Sequence, residues 1–529
     1  MTLLLLGACA APAPPPSRPP NVLLVSLDTV RADHTSAYGY ERDTTPVLAA
    51  LAAEGTVFEN AFSTGNESAW SHAALFTGRF ASELATPIYA TYGIPSAASL
   101  VSEGLRASGY ATAAFSAGGH VTADFGFDQG WDRFLAQPGF GSLYDTGPLA
   151  SAWVEALPAE RPWFVFLHGY DAHRPYTRPG PWDHLYAEGA GSPLAEAVCR
   201  SPCLSEMVLG DVLFPELVPA WFTHTGGAQI MAPEGYDRLA TAAPEARRVG
   251  LTPADRAHIV AHYDGALRYA DTLLGQTLTR LSTSGKLDNT VVIVVSDHGE
   301  DLLDHGYMNH RTGLFDSCTR VPLVVWGPGF EGGRRSADLV DGRDVAATIV
   351  AVTGVVAPAG SGGRDLRAVA KGEAPGDAVF SEGVMDMVSV RTATHRLVYR
   401  GAPLADPTYA ALLRAAPLDG GGFELYDLRV DPGELTPAHD EATTAVLRDR
   451  LVAWREGLRV GDYVLPQAQV SSEVAASLRE HGYWGDAQAT AAGAADAAPS
   501  NPPPPPAGQP APEPIDASCV DRLPFLAAP

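Results

Sequence analysis

The chain has 529 residues, long enough to bury a sizeable core and to hold more than one domain. Its 61 acidic side chains against 36 Lys and Arg give a formal charge of −25, which suits solubility and sets the molecule against the phosphate backbone of DNA or RNA. Nucleic acid is therefore not expected as a partner.

In chain order, the first nine residues, Met1-Thr2-Leu3-Leu4-Leu5-Leu6-Gly7-Ala8-Cys9, are an apolar run ending in small residues and a cysteine. The pattern resembles a bacterial lipoprotein leader, in which Cys9 becomes the lipidated first residue. The run is too short to span a bilayer. No Lys or Arg precedes Leu3, so the charged part of such a leader would lie upstream of Met1. The Pro-rich stretch Ala11 to Pro20 would complete a leader-and-tether segment over 1–20, semi-rigid because polyproline is extended. This predicts export to the bacterial cell envelope, periplasmic or at the surface, with the membrane reached through lipidated Cys9.

From 21 to 375, apolar runs alternate with helical patterns. Strands are expected at Val22 to Leu27, Ala111 to Ser116, Trp163 to Leu167, Val291 to Ser296 and Val321 to Trp326, with helices at Thr45 to Ala53 and Asp255 to Leu281. This alternation predicts an α/β domain built on a doubly wound, mostly parallel sheet. The Pro- and Gly-rich stretch 180–249 lacks a period and reads as an insertion or lid. Within it, Cys199 and Cys203 are spaced for a disulfide in an exported protein, while a zinc site there lacks two further ligands nearby in sequence. Cys318 reads as a buried free thiol. Short strand-like runs and the helical stretch Glu441 to Arg459 predict a small α+β subdomain over 376–465. The Ala- and Pro-rich tail 487–529 has too little apolar surface to fold.

Two segments carry the chemistry. Val22-Leu23-Leu24-Val25-Ser26-Leu27-Asp28 and Val291-Val292-Ile293-Val294-Val295-Ser296-Asp297-His298-Gly299 each run from an apolar strand into metal-ligating residues. Ligands of parallel sheets sit beyond the carboxyl ends of the strands, so Asp28, Asp297 and His298 are expected to converge. Two carboxylates and one imidazole suit a single divalent cation, Ca, Mg or Mn, with Zn also compatible.

Further motifs lie around these strands. Ser26-Leu27-Asp28-Thr29-Val30-Arg31-Ala32-Asp33, Ser71-His72-Ala73-Ala74-Leu75-Phe76-Thr77-Gly78-Arg79, Asp171-Ala172-His173-Arg174-Pro175, Ser296-Asp297-His298-Gly299-Glu300 and Glu424-Leu425-Tyr426-Asp427-Leu428 occur in that order. Together they resemble the sulfatase family of the alkaline phosphatase superfamily. The resemblance implies a metal-dependent hydrolase of sulfate or phosphate esters. It also implies an anionic ester substrate: a glycan, a lipid headgroup or a small molecule.

In that family the nucleophile stands in C/S-x-P-x-R and is oxidised to formylglycine. Here Ser68-Ala69-Trp70-Ser71-His72 occupies the place, with Trp70 for Pro and His72 for Arg. Formylglycine is accordingly not expected. An unmodified Ser68 forms an ester that water must clear by attack on sulfur or phosphorus, and phosphorus tolerates that attack better. The resemblance thus implies Ser68 as covalent nucleophile and fourth cation ligand, with a phosphodiester or phosphonate ester favoured over sulfate. It also implies His173 and His310 as substrate contacts that donate hydrogen bonds or protonate the leaving alkoxide, and His72 as the replacement anion contact. Asp171 is expected to orient its loop. The alternatives are a phosphoglycerol- or phosphoethanolamine-type transferase and a degenerate anion-binding envelope protein.

Overall fold

A computed structural model describes residues 18–84, 93–200, 252–400, 422–459 and 470–480, except 188, 190, 306, 307, 312, 331 and 384–386, together with three two-residue strands at 208–209, 212–213 and 247–248. The expected leader, most of the 180–249 insertion and the Pro-rich tail lie outside these residues. No helix among them is long and apolar enough to cross a membrane.

The central strand β1 (Asn21–Leu27) is buried along its whole length. Its alternating side chains feed two cores. Leu23, Val25 and Leu27 join one, Val22 and Leu24 the other, as expected for a strand covered by helices on both faces. The remaining strands of this sheet are β2 (Thr56–Phe62), β3 (Ala111–Ser116), β4 (Arg133–Ala136), β5 (Trp163–Gly169), β6 (Thr290–Val295), β7 (Leu323–Trp326) and β8 (Arg334–Asp341). Their order is β8-β2-β7-β6-β1-β5-β3-β4. β1 lies parallel between β5 and β6, with Leu24 opposite both Phe166 and Ile293. β7 alone in this sheet runs antiparallel to its neighbours, β6 and β2. The expected doubly wound, mostly parallel sheet is therefore present, with one strand reversed.

The helices α1 (Pro46–Glu54), α2 (Ser68–Thr77), α3 (Val101–Ala107), α4 (Leu143–Glu155), α5 (Pro193–Arg200), α6 (Pro253–Thr283) and α7 (Gly342–Thr353) are the principal ones around this sheet. α6 runs 31 residues and starts on a capping box, in which Thr252 Oγ1 accepts from Asp255 N while the Asp255 carboxylate accepts from Thr252 N. Leu267, Leu274 and Leu278 of α6 fill the first core; Leu75 and Phe76 of α2 and Val345 and Ile349 of α7 fill the second.

A second sheet, β9 (Val379–Gly383), β10 (Met387–Arg391), β11 (His395–Arg400) and β12 (Gly422–Asp427), is an antiparallel meander. The helix α8 (Glu441–Gly457) packs Leu447 and Leu451 on it. Buried charge fastens this subdomain to the larger one: Arg396, paired through Nε with Glu434 of the same subdomain at 2.6 Å, reaches across to Asp316 with its Nη2, and Glu434 accepts from Asp316 N. Glu382 of β9 accepts from Ser82 N at 3.1 Å, just beyond α2.

Three strands of the large sheet departed from expectation. β2 interrupts its apolar run with Glu59 and Asn60, β4 is short and half-exposed, and β8 is charged and shifts register between Ser336 and Leu339. All three lie in the outer half of the sheet, where the continuous apolar signal of a central strand is not required. Cys199 carries a buried free thiol, as does Cys318. Cys203, the expected partner of Cys199, lies outside the described residues.

Candidate active site

The carboxyl ends of β1 and β6 meet as adjacent parallel strands must, and they bring Asp28 and Asp297-His298 together. One ligand atom from each of these three residues lies within 4.8 Å of the other two, and all three residues are at most 1% exposed. The backbone around them is locked. Thr29, at φ 58°, turns the chain so that its N donates to Asp297 Oδ1 at 3.2 Å, and Val30 N donates to Ser296 Oγ at 2.9 Å. Asp28 Oδ1 and Asp297 Oδ2 have no hydrogen-bond partner among the described residues. Two unpartnered carboxylate oxygens in a buried site are costly unless a cation is there to take them, so these residues fit the expected metal. Burial, reinforced by the charge of Asp297, pushes the Asp28 carboxyl well above its ordinary range.

His298 Nδ1 faces the carbonyl of Gly299 at 2.9 Å. A carbonyl only accepts, so the ring proton sits on Nδ1, and Nε2 presents its lone pair to the site. Ser68 opens α2, with Glu67 as N-cap, and its hydroxyl lies at the positive end of the helix. Ser68 Oγ donates to Asp28 Oδ2 at 3.0 Å and lies 3.2 Å from His298 Nε2. The neighbouring serines are engaged elsewhere: Ser63 and Ser71 hydrogen-bond each other at 2.8 Å. Of this serine cluster, Ser68 is the hydroxyl that touches both strand ends.

His72 stands one turn below Ser68 on α2. Its Nδ1 donates to Ser68 O at 2.7 Å, its Nε2 accepts from Ser26 Oγ at 2.9 Å, and Nδ1 lies 3.6 Å from Asp297 Oδ2. The ring is fully buried beneath the carboxylates. Both ring nitrogens are thus engaged by protein groups, and the ring supports Ser68 and Asp297. Burial lowers its proton affinity.

His310 and His173 lie on the other side of His298. The His310 ring centroid is 4.2 Å from that of His298 and 5.8 Å from that of His173. His310 Nδ1 donates to Glu300 Oε1 at 3.1 Å, and His173 Nδ1 donates to Arg174 O at 2.7 Å. In each ring the Nδ1 proton is thereby fixed, and Nε2 carries the lone pair of the neutral form. Burial, with His298 and Arg174 adding to it, holds His310 well below the ordinary histidine range. In the neutral form its Nε2 accepts a hydrogen bond, so the expected role as donor to the substrate requires prior protonation. Asp171 accepts from Ser142 Oγ and from Leu143 N, the latter at 2.8 Å, which ties its loop to the start of α4.

Four residues outside the expected set line this region. His168 ends β5, fully buried, with Nε2 3.7 Å from Asp28 Oδ2. His120, beyond β3, is buried and held to about 3 by desolvation and by the charges of Arg311 and His298. Arg174, also buried, and Arg311, whose Nε pairs with Glu67, supply positive charge beside His310. The signal for His168 was present in the sequence, since it ends an apolar strand just as Asp28 does.

Residues 20–355 match the family model described as Sulfatase. Arylsulfatase K of Gallus gallus is 25% identical over 381 residues, covering 66% of this chain and 66% of that protein. In Xenopus laevis the same-named protein is 25% identical over 54% of this chain and 50% of its own length, so the chain spans between half and two thirds of these two relatives. N-acetylglucosamine-6-O-sulfatase of Bacteroides thetaiotaomicron is 22% identical over 85% of this chain and 88% of that protein. Among solved structures, BT4656 in complex with its substrate D-glucosamine-2-N,6-O-disulfate gives a TM-score of 0.62 at 18% identity, over 83% of this chain and 97% of that one. The phosphonate monoester hydrolase of Agrobacterium radiobacter gives 0.59 at 21% identity, over 83% and 95%. With its strand-end carboxylates, its helix-borne serine and a match over most of its length, the chain belongs to the sulfatase family.

Proposed function

We propose that this protein is an ester hydrolase in which unmodified Ser68 is the nucleophile and phosphodiesters or phosphonate esters are the preferred substrates. The observation that carries this reading is Ser68 Oγ, set at the start of α2 between Asp28 Oδ2 and His298 Nε2, in a signature whose Pro and Arg places hold Trp70 and His72. A divalent cation held by Asp28, Asp297, His298 and Ser68 would lower the serine pKa and neutralise charge on the ester oxygens.

The chain's own residues supply the rest. Asp28 Oδ2 holds the hydroxyl proton and orients Oγ for in-line attack. The helix N-terminus favours the alkoxide over the alcohol. Arg174 and Arg311 offset the substrate's negative charge. His310 or His173, protonated at Nε2, donates to the leaving alkoxide, then takes a proton from the water that clears the serine ester.

The test is turnover of an aryl phosphodiester, a phosphonate monoester, a phosphate monoester and an aryl sulfate by wild type and Ser68→Ala. Phosphorus esters turned over faster than sulfate, with both rates lost in the variant, is the expected result. A second reading, sulfate-ester hydrolysis, is favoured by the names of the relatives and would be adopted if sulfate alone were turned over. The same proposal places the enzyme at the cell envelope through lipidated Cys9; metabolic labelling with a fatty acid, absent in Cys9→Ser, checks it.

A further inference from the structure

A second cluster of ligating side chains lies away from Ser68. On α6, His258 and His262 stand four residues apart and so share one helix face. Glu196 of α5 faces them. His258 Nε2 is 3.0 Å from Glu196 Oε1 and 3.1 Å from His262 Nε2. Atoms from the three residues all fall within 4.8 Å of one another, with both histidines buried and Glu196 at the rim.

The protons of this cluster point to a cation. His262 is fully buried, and its Nδ1 has no hydrogen-bond partner among the described residues; it faces Asp183 Oδ1, also without one there, at 3.4 Å. A carboxylate at Nδ1 draws the ring proton there and leaves the lone pair on Nε2, the arrangement by which second carboxylates orient metal-binding histidines. The His262 lone pair and the Glu196 carboxylate then converge on the same nitrogen of His258. A single proton on His258 Nε2 has to divide between two acceptors, whereas a metal accepts all three lone pairs at once. Tetrahedral zinc with bonds of about 2.0 to 2.1 Å sets its ligands about 3.3 Å apart, close to the separations seen here. Glycine at 191 is part of the fit, because a Cβ there would come within 2.4 Å of the His258 ring.

We propose that Glu196, His258 and His262 form a zinc site that fastens α5 to α6, with Asp183 orienting His262 and a water in the fourth position. Two imidazoles with one carboxylate favour zinc over the harder cations that suit the Asp28 centre.

The experiment uses the full chain stripped with chelator, dialysed against buffered zinc and analysed for bound metal, with Co²⁺ as a spectroscopic substitute. Asp297→Asn, which removes the Asp28 centre, is expected to retain one zinc per chain and the visible absorption of four-coordinate cobalt. His262→Gln should lose that zinc and that absorption while keeping hydrolytic turnover within about twofold of wild type. Glu196→Gln, isosteric and at the rim, guards against misfolding and should bind zinc at least about tenfold more weakly. Failure of Asp297→Asn to retain zinc, or retention of equal zinc by Glu196→Gln, overturns the proposal.

Discussion

Among the described residues, ligating groups gather at two places, and their surroundings differ. The Asp28 centre lies where parallel strands end, is dominated by carboxylate oxygen, and has a serine hydroxyl 3.0 Å from a ligand. The Glu196 centre is dominated by imidazole, joins two helices, and has no serine, threonine or cysteine hydrogen-bonded to its ligand atoms among the described residues. A cation beside a helix-borne hydroxyl activates a nucleophile, whereas a cation between helices holds them together. On the proposed reading, it is the hydroxyl beside the Asp28 cation that marks that centre for catalysis.

The largest effect that would break this contrast is on turnover. Ser68→Ala is expected to lower kcat/KM on the order of 10⁴-fold or more, while Glu196→Gln leaves it within about twofold. Comparable losses in the two would merge the centres into one functional unit.

Supporting residues sharpen the comparison further. His72→Ala should weaken the activating cation by about 10- to 100-fold, read as a shift in the metal concentration for half-maximal rate, with KM nearly unchanged. Asp183→Asn should weaken zinc by a similar factor without moving the rate. If His72→Ala instead raised KM at saturating metal, His72 would be an anion contact after all.

The smallest effect concerns the attachment of the second sheet beside α2. Burial, opposed by the hydrogen bonds from Ser82, raises Glu382 to about 7. Folding thus favours its protonated form. The associated stability is full below the ordinary glutamate range and is lost as pH rises through about 7, by at most about 3 kcal/mol. Urea midpoints at pH 5 and pH 8 should therefore differ less in Glu382→Gln than in wild type. An unchanged difference would show that another group sets the slope.

How much of this was legible in the sequence depended on burial. Strands sheathed on both faces, such as those carrying Val22 to Val25 and Val291 to Val295, are written as unbroken apolar runs, so the central sheet and the carboxylates at its strand ends were legible. Outer strands such as Arg334–Asp341 carry charge on their exposed positions and left no such mark. The convergence of Asp28, Ser68, Asp297 and His298 was legible because strand ends and family motifs coincide there. The surroundings of His72 were not legible, since sequence does not reveal that Ser26 Oγ and Ser68 O engage both its nitrogens. The zinc cluster was missed because its parts come from segments more than 60 residues apart; the pair His258 and His262, at helical spacing, was the available clue.

The most direct test of the central claim is the mass of the peptide carrying Ser68, taken from active protein at rest and from protein quenched during turnover of a phosphonate ester. The account predicts an unmodified serine at rest and a phosphonyl ester on Ser68 during turnover. An aldehyde mass at position 68 in the resting, active protein would contradict it and make this a formylglycine enzyme.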